Sequence, residues 1–265
     1  MDLQLNGKRA LVTGASGDLG QAIAIALARE GVKVVVHGRN RERAEKTLAT
    51  IKTAGGTAAV AIGGLDNDAD AKRVASEAEA AFGGIDILIN NAGGRDMASW
   101  EFHTPERWLK RFNENTVSGL RMAFLLLPKM QERKWGRLVQ IGSLAGAIPN
   151  ADFADYAASK AALMSMTVSI AQKFGIDGIT SNNLAVGIVW SESSQVLPKV
   201  MADRGCTREE AERFVCTQMY KVPVGRFCRV EEVGNAVAFL SSPLAGYING
   251  ANIRLDGGVV PTLNP

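Results

Sequence analysis

At 265 residues, 46% of them hydrophobic, the chain can bury a sizeable core as one large domain. A net charge of +3 is too small to suggest a nucleic-acid footprint or a membrane-surface patch, and the apolar runs are too short to span a bilayer. With only two histidines no histidine-rich metal site can be built, and three cysteines without CxxC spacing (Cys206, Cys216, Cys228) argue against a disulfide frame or a zinc site. Residues 1–8 lack an apolar h-region, so no signal peptide is expected and the cysteine usage fits a reducing cytoplasm.

In chain order, residues 8–12 form a short apolar strand followed by Thr13-Gly14-Ala15-Ser16-Gly17-Asp18-Leu19-Gly20. Residues 21–30 then carry Ala, Ile and Leu at helical spacing, and Gly31 ends the run. Strand, glycine-rich turn and helix are the context a dinucleotide-binding loop requires. Glycines let the backbone approach a pyrophosphate, and the helix N-terminus offers it free N–H groups. An ordinary glycine-containing turn is the alternative.

Residues 32–36 make a second strand, ending in His37-Gly38-Arg39-Asn40. In a dinucleotide fold a carboxylate there would bond the 2′-hydroxyl of NAD, whereas an arginine suits the 2′-phosphate of NADP. No acid lies between Val34 and Arg41, and Arg41 and Arg43 follow Arg39 closely, so NADP is favoured over NAD. The alternative is that these arginines only decorate the next helix, over 41–52.

Further strands follow at 58–62, 85–89, 138–141, near 179–185 and at 251–255, and further helices at 70–82, from 105 on to 131, at 153–174 and at 230–240. Residues 191–221 read as an irregular-to-helical insert. Alternating strands and helices mean βαβ units, so the expected fold class is α/β: one doubly wound parallel sheet of Rossmann type over 1–265, with helices on both faces.

Two local patterns carry chemistry. In the long helix, Tyr156 and Lys160 lie one turn apart on one face. An ammonium beside a phenol favours the phenolate, lowering its pKa from about 10 and making it a usable general acid or base. Thirteen residues earlier, Ser143 follows the apolar strand run, which puts a hydroxyl at a strand's C-terminal end. Taken alone, Tyr-x-x-x-Lys is more often a solvated helix face than an active site.

With the Thr-Gly-rich turn, Asn90-Asn91-Ala92-Gly93, Ser143 and Tyr156-x-x-x-Lys160 in this order, the chain resembles the short-chain dehydrogenase/reductase family. It is similar to the compact branch that includes the 3-oxoacyl-carrier-protein reductases. The resemblance runs from Leu5 to about Val260, through Val222-Pro223-Val224-Gly225-Arg226-Phe227 and Asp256-Gly257-Gly258 near the end. It implies a catalytic tetrad of Asn115, Ser143, Tyr156 and Lys160. Tyr156 would be the acid–base group, Ser143 would hold the carbonyl oxygen, and Lys160 would grip the nicotinamide ribose. Asn115 would stabilise a helix distortion and a proton-relay water. For the cofactor it implies Gly14, Ser16, Asp18, Leu19 and Gly20 around the pyrophosphate, and Asn91, Ala92 and Gly93 on the adenine-ribose side. Gly187, Val189 and Ser191 would clasp the carboxamide.

Three departures stand out. Asp18 replaces the usual loop glycine, where it would cap the helix but compete with the pyrophosphate. Gly64 replaces an adenine-contacting acid, leaving adenine recognition to the Leu65 backbone. Val186-Gly187 replaces Pro-Gly, which would loosen the turn beyond the sixth strand. The resemblance also implies a homotetramer, with helices around 105–131 and 153–174 across one interface, and a substrate lid at about 190–221. Trp190, Val196, Leu197, Met201, Phe214 and Met219 would form either an apolar lid or internal helix packing. The charges from Lys199 to Arg213 read as a solvated face, with a Thr207 capping box. The expected activity is NADP-dependent interconversion of a small-molecule ketone and a secondary alcohol. The alternatives are an NAD-linked alcohol dehydrogenase and a cofactor-binding sensor without turnover.

Overall fold

The computed structural model describes residues 1–96, 98–190 and 196–261. Its strands are β1 (Arg9–Val12), β2 (Lys33–Gly38), β3 (Ala58–Ile62), β4 (Ile87–Asn90), β5 (Gly136–Ser143), β6 (Ile179–Val186) and β7 (Asn252–Leu255). All pair in parallel, in the order β3-β2-β1-β4-β5-β6-β7. Successive side chains of a strand point to opposite faces. Val12, Val34, Val36, Ile87 and Ile89 therefore enter one core, and Leu11, Val35, Leu88 and Leu138 enter the other.

Helices α1 (Asp18–Arg29), α2 (Arg41–Thr53), α3 (Asp68–Phe82), α4 (Pro105–Phe112), α5 (Ser118–Glu132), α6 (Ala154–Phe174), α7 (Val196–Arg204), α8 (Arg208–Phe214) and α9 (Val230–Ser241) follow in chain order. α1, α2 and α9 cover the first core, through residues such as Ile23, Leu27, Ile51 and Val237. α3, α5 and α6 cover the second, through Val74, Met122, Leu126 and Ile170. This is the doubly wound arrangement, and the strand order reverses between β1 and β4. Ligands of such sheets lie beyond the carboxyl ends of the strands at that switch.

One segment differs from the sequence expectation, and the irregular-to-helical insert is resolved into named elements. The helix expected from 105 to 131 is broken by a π-turn at Asn113–Val117, in which the Ser118 N–H reaches back to the Asn113 carbonyl. Beyond residue 195, the insert holds α7, α8 and a second π-turn at Val215–Met219. These pack on a small core of their own around Leu197, Ala211, Val215, Cys216, Val222 and Phe227. Trp190, Val196, Met201 and Phe214 join it, whereas Met219 is exposed, so internal packing fits all but Met219. Lys199, Arg204, Arg208, Glu209, Glu210 and Arg213 are exposed, and Thr207 forms the expected capping box with Glu210.

Candidate active site

The loop after β1 is drawn tight by bonds from three directions. Thr13 Oγ1 accepts the N–H groups of Asn91 and Ala92, each at 3.0 Å. The Asn91 amide donates to the carbonyls of Thr13 at 2.9 Å and Gly14 at 3.3 Å. The Gly14 N–H donates to Nδ1 of His37 at 3.2 Å, and Nε2 of that ring meets the Gly63 carbonyl at 3.1 Å. Glycine is required at the closest approach: a Cβ on Gly20 would stand 2.4 Å from the Gly14 carbonyl oxygen. Ser16 Oγ fills the space where Gly38 has no side chain.

Gly17, not Asp18, is the N-cap of α1, and no side chain caps that first turn. Asp18 is the first helical residue and exposed, which corrects its expected capping role. The first-turn N–H groups thus face a cleft of about 500 Å³ lined by Gly14, Gly17, Leu19, Asn91, Gly93 and Val189 among others. A glycine cradle at an uncapped helix N-terminus fits a pyrophosphate. At the end of β2, Arg39 is exposed, and no ion pair involves it among the described residues.

Of the other cofactor residues named from sequence, Ala92 and Gly93 follow β4 at the cleft, and a Cβ on Gly93 would meet Asn115 Oδ1. Leu65 turns its side chain into the second core, and its carbonyl accepts from Arg121 at 3.2 Å. The Asp66 carboxylate stands where a side chain on Gly64 would start, so an acid reaches that place from two residues on. Gly187 is held by its N–H to the Leu255 carbonyl at 2.9 Å and by close contact with Asp256. The turn expected to be loose is thus firmly packed. Val189 bridges to Cys228. Ser191 lies outside the described residues.

The four tetrad residues come together at the ends of β4 and β5. Asn115, 3% exposed, sits in the π-turn; its Oδ1 accepts the Gly94 N–H at 2.8 Å and its Nδ2 donates to Ser159 at 3.0 Å. The lengthened turn points this amide at α6 instead of along its own helix. Ser143 ends β5, and its hydroxyl, which accepts the Ala145 N–H at 3.2 Å, is near enough to the Tyr156 phenol to favour its ionised form. Lys160 is buried, and its Nζ donates to the Ile141 carbonyl at 2.8 Å and lies 5.7 Å from the Tyr156 ring centroid.

Burial pushes the Tyr156 phenol up from its ordinary pKa, against the smaller opposing pulls of the Ser143 hydrogen bond, Arg95 and Arg111. Burial also lowers Lys160 to about 8. Desolvation therefore outweighs the expected lowering of the phenol by its lysine neighbour.

Sequence reasoning missed an ionic cluster beside the tyrosine. Asp155, fully buried, accepts the Tyr156 N–H at 2.7 Å and lies 2.9 Å from Arg107 Nε and 3.6 Å from Arg111 Nε. Arg111 also pairs with Asp96 and, at 2.9 Å, with Glu114, while Arg107 pairs with Asp96 at 2.8 Å. The spacing of Arg107 and Arg111, one turn apart on α4, was the available signal. Thr13 and His37, which fasten the loop, stand inside its motifs, where spacing alone assigns them no role.

Residues 8–201 match the short chain dehydrogenase family. The chain belongs to that family. The 3-oxoacyl-[acyl-carrier-protein] reductase of Pseudomonas aeruginosa is 34% identical over 258 residues, covering 97% of this chain and 99% of the relative. D-β-hydroxybutyrate dehydrogenase of Cupriavidus necator is 35% identical, covering 97% and 99%. The structure of L-sorbose reductase from Gluconobacter frateurii, complexed with NADPH and L-sorbose, superposes with a TM-score of 0.91 at 27% identity, covering 99% of this chain and 100% of that one. The chain is thus an NAD(P)-dependent oxidoreductase of the short-chain type. Among the described residues no helix is long and apolar enough to cross a membrane.

Proposed function

We propose that the protein interconverts a ketone and a secondary alcohol with NADP, using Ser143 and Tyr156 on the substrate oxygen. The observation that carries this reading is that Ser143 acts on the Tyr156 phenol with Lys160 buried beside that ring, and that Gly93 of the glycine-cradled cleft closes on Lys160, whose Nζ would stand 3.9 Å from a Cβ there. A bound nicotinamide supplies or takes the hydride at the carbon. Ser143 holds the oxygen, and Tyr156 gives it a proton in reduction or takes one in oxidation, so hydride and proton together account for the alcohol. The raised phenol is protonated at neutral pH, which readies Tyr156 as the acid for reduction. Lys160, titrating at about 8, keeps most of its charge there and can hold ribose hydroxyls. Asn115 ties the π-turn to α6 and so fixes the distance between Gly94 and the tyrosine helix.

The unpaired Arg39 at the β2 end supports NADP, since a guanidinium suits a 2′-phosphate. We take α7 and α8, with their own core beyond Trp190, as the lid at about 190–221. A homotetrameric, cytoplasmic enzyme completes the reading.

Parallel fluorescence titrations with NADPH and NADH, then a Tyr156→Phe comparison, test it. The expected results are tighter NADPH binding, and a loss of at least ~10²-fold in rate for Tyr156→Phe with NADPH binding retained. Near-wild-type turnover of that variant would overturn the acid–base role. Preferential NADH binding would instead favour an NAD-linked alcohol dehydrogenase.

A further inference from the structure

Two arginines beside the catalytic helix are neutralised and a third is not. Arg107 and Arg111 share Asp96 and lie against Asp155, and Arg111 also holds Glu114. Arg95 is exposed, and no carboxylate pairs with it among the described residues. Its guanidinium lies 5.3 Å from the Phe153 ring centroid, three residues before the catalytic tyrosine. The next residue, Asp96, is fastened to α4 by both arginine side chains, and its carbonyl accepts from Arg107 at 3.1 Å.

Arg95 also lines the cleft that runs past the Gly14–Gly20 loop, and its charge reaches the Tyr156 phenol. A cation lining a cleft without an ion-pair partner raises the local concentration of anions and fits a carboxylate with two parallel bonds. Asp96, Asp155 and Glu114 are engaged by Arg107 and Arg111, and Asp18 in the cleft and Asp152 beside Phe153 form no ion pair with Arg95 among the described residues.

From this placement we propose that Arg95 is a substrate-recognition residue for a carboxylate, so that the enzyme acts on a keto acid and the corresponding hydroxy acid. The carboxylate sits on Arg95 while the carbonyl or hydroxyl oxygen sits between Ser143 and Tyr156. This rests on the carbonyl–alcohol reading above and narrows its substrate class. The chemistry is unchanged: hydride goes to the carbonyl carbon, the Tyr156 proton goes to oxygen, and the carboxylate stays intact.

The test uses the whole enzyme saturated with NADPH and three matched pairs of probes: pyruvate, acetoacetate and levulinate, each against its methyl ester. Binding is read by cofactor fluorescence and turnover by NADPH absorbance. At least one acid is expected to bind ~10-fold tighter than its ester, the scale of one hydrogen bond to a charged group. Arg95→Gln should abolish that preference, and Arg95→Lys should restore part of it. Equal handling of acid and ester in all three pairs would overturn the proposal. So would an Arg95→Gln variant that weakens NADPH as much as the acid, because the guanidinium would then belong to the cofactor. An acid that binds through Arg95 without being reduced would uphold the carboxylate site and count against the reduction reading instead.

Discussion

At His37 one ring nitrogen accepts the Gly14 N–H while the other meets the Gly63 carbonyl, so a neutral imidazole fastens the nucleotide loop to the end of β3. Burial pushes its pKa down from 6.5 to about 4. As pH falls below 6.5 the unfolded chain takes up this proton before the folded one does. The contribution to stability is therefore complete above 6.5 and is lost on the way down to about 4. Every tenfold difference in proton affinity between the two states is worth about 1.4 kcal/mol, so the loss approaches ~3 kcal/mol. Urea midpoints measured across this range should fall more steeply for the wild type than for His37→Gln; identical slopes would show that the ring does not govern them. Little of this was legible in the sequence. Motif spacing named Tyr156, Lys160 and Ser143, but spacing carries no information on desolvation, which is why the phenol moves opposite to expectation. Asp18 departs from expectation for a related reason: one residue of register separates a cap from a first-turn residue, and the backbone settles it at Gly17.

Between α4 and α5 the regular 3.6-residue period gives way to the π-turn, which places Asn115. Periodicity cannot announce such a turn, since apolar spacing continues on both sides of it; only the resemblance placed a distortion at this asparagine. In the Arg107–Asp155–Arg111 cluster only the one-turn spacing of the two arginines was legible, because Asp155 lies far off in sequence and becomes their partner only when α4 packs on α6. By contrast, the Thr207 capping box is a purely local device and was readable as such. The buried cluster sets a prediction for the two helices. Asp155→Ala leaves two arginines short of a buried partner, a change that costs about 3–5 kcal/mol when one member of a buried ion pair is removed. Thermal unfolding should therefore start several degrees lower, and a variant with wild-type stability would show that Asp96 and Glu114 already suffice.

Seen whole, the molecule was the most legible level, because seven short apolar runs alternating with helical ones admit few arrangements. Edge positions and the order across the sheet needed the structure. The surface carries the remaining expectation, the homotetramer. Leu109 and Phe124 on α4 and α5, at 72% and 69% exposure, and Val168 on α6, at 42%, are apolar and uncovered. On α6, Ala161, Ser165 and Ser169 add small residues at four-residue spacing that allow a partner helix to approach closely. Light scattering should give the mass of four chains, and Phe124→Glu should lower it; a wild-type monomer would remove these helices as an interface.

The loop after β1 has one more consequence. Its shape is held by Thr13, Asn91 and His37, so the receptor for the nucleotide is assembled before any nucleotide arrives. Little conformational freedom remains there to be surrendered on capture, and affinity at this end of the cleft reflects contact and charge more than ordering. Recognition of the pyrophosphate is then an encounter with a finished surface.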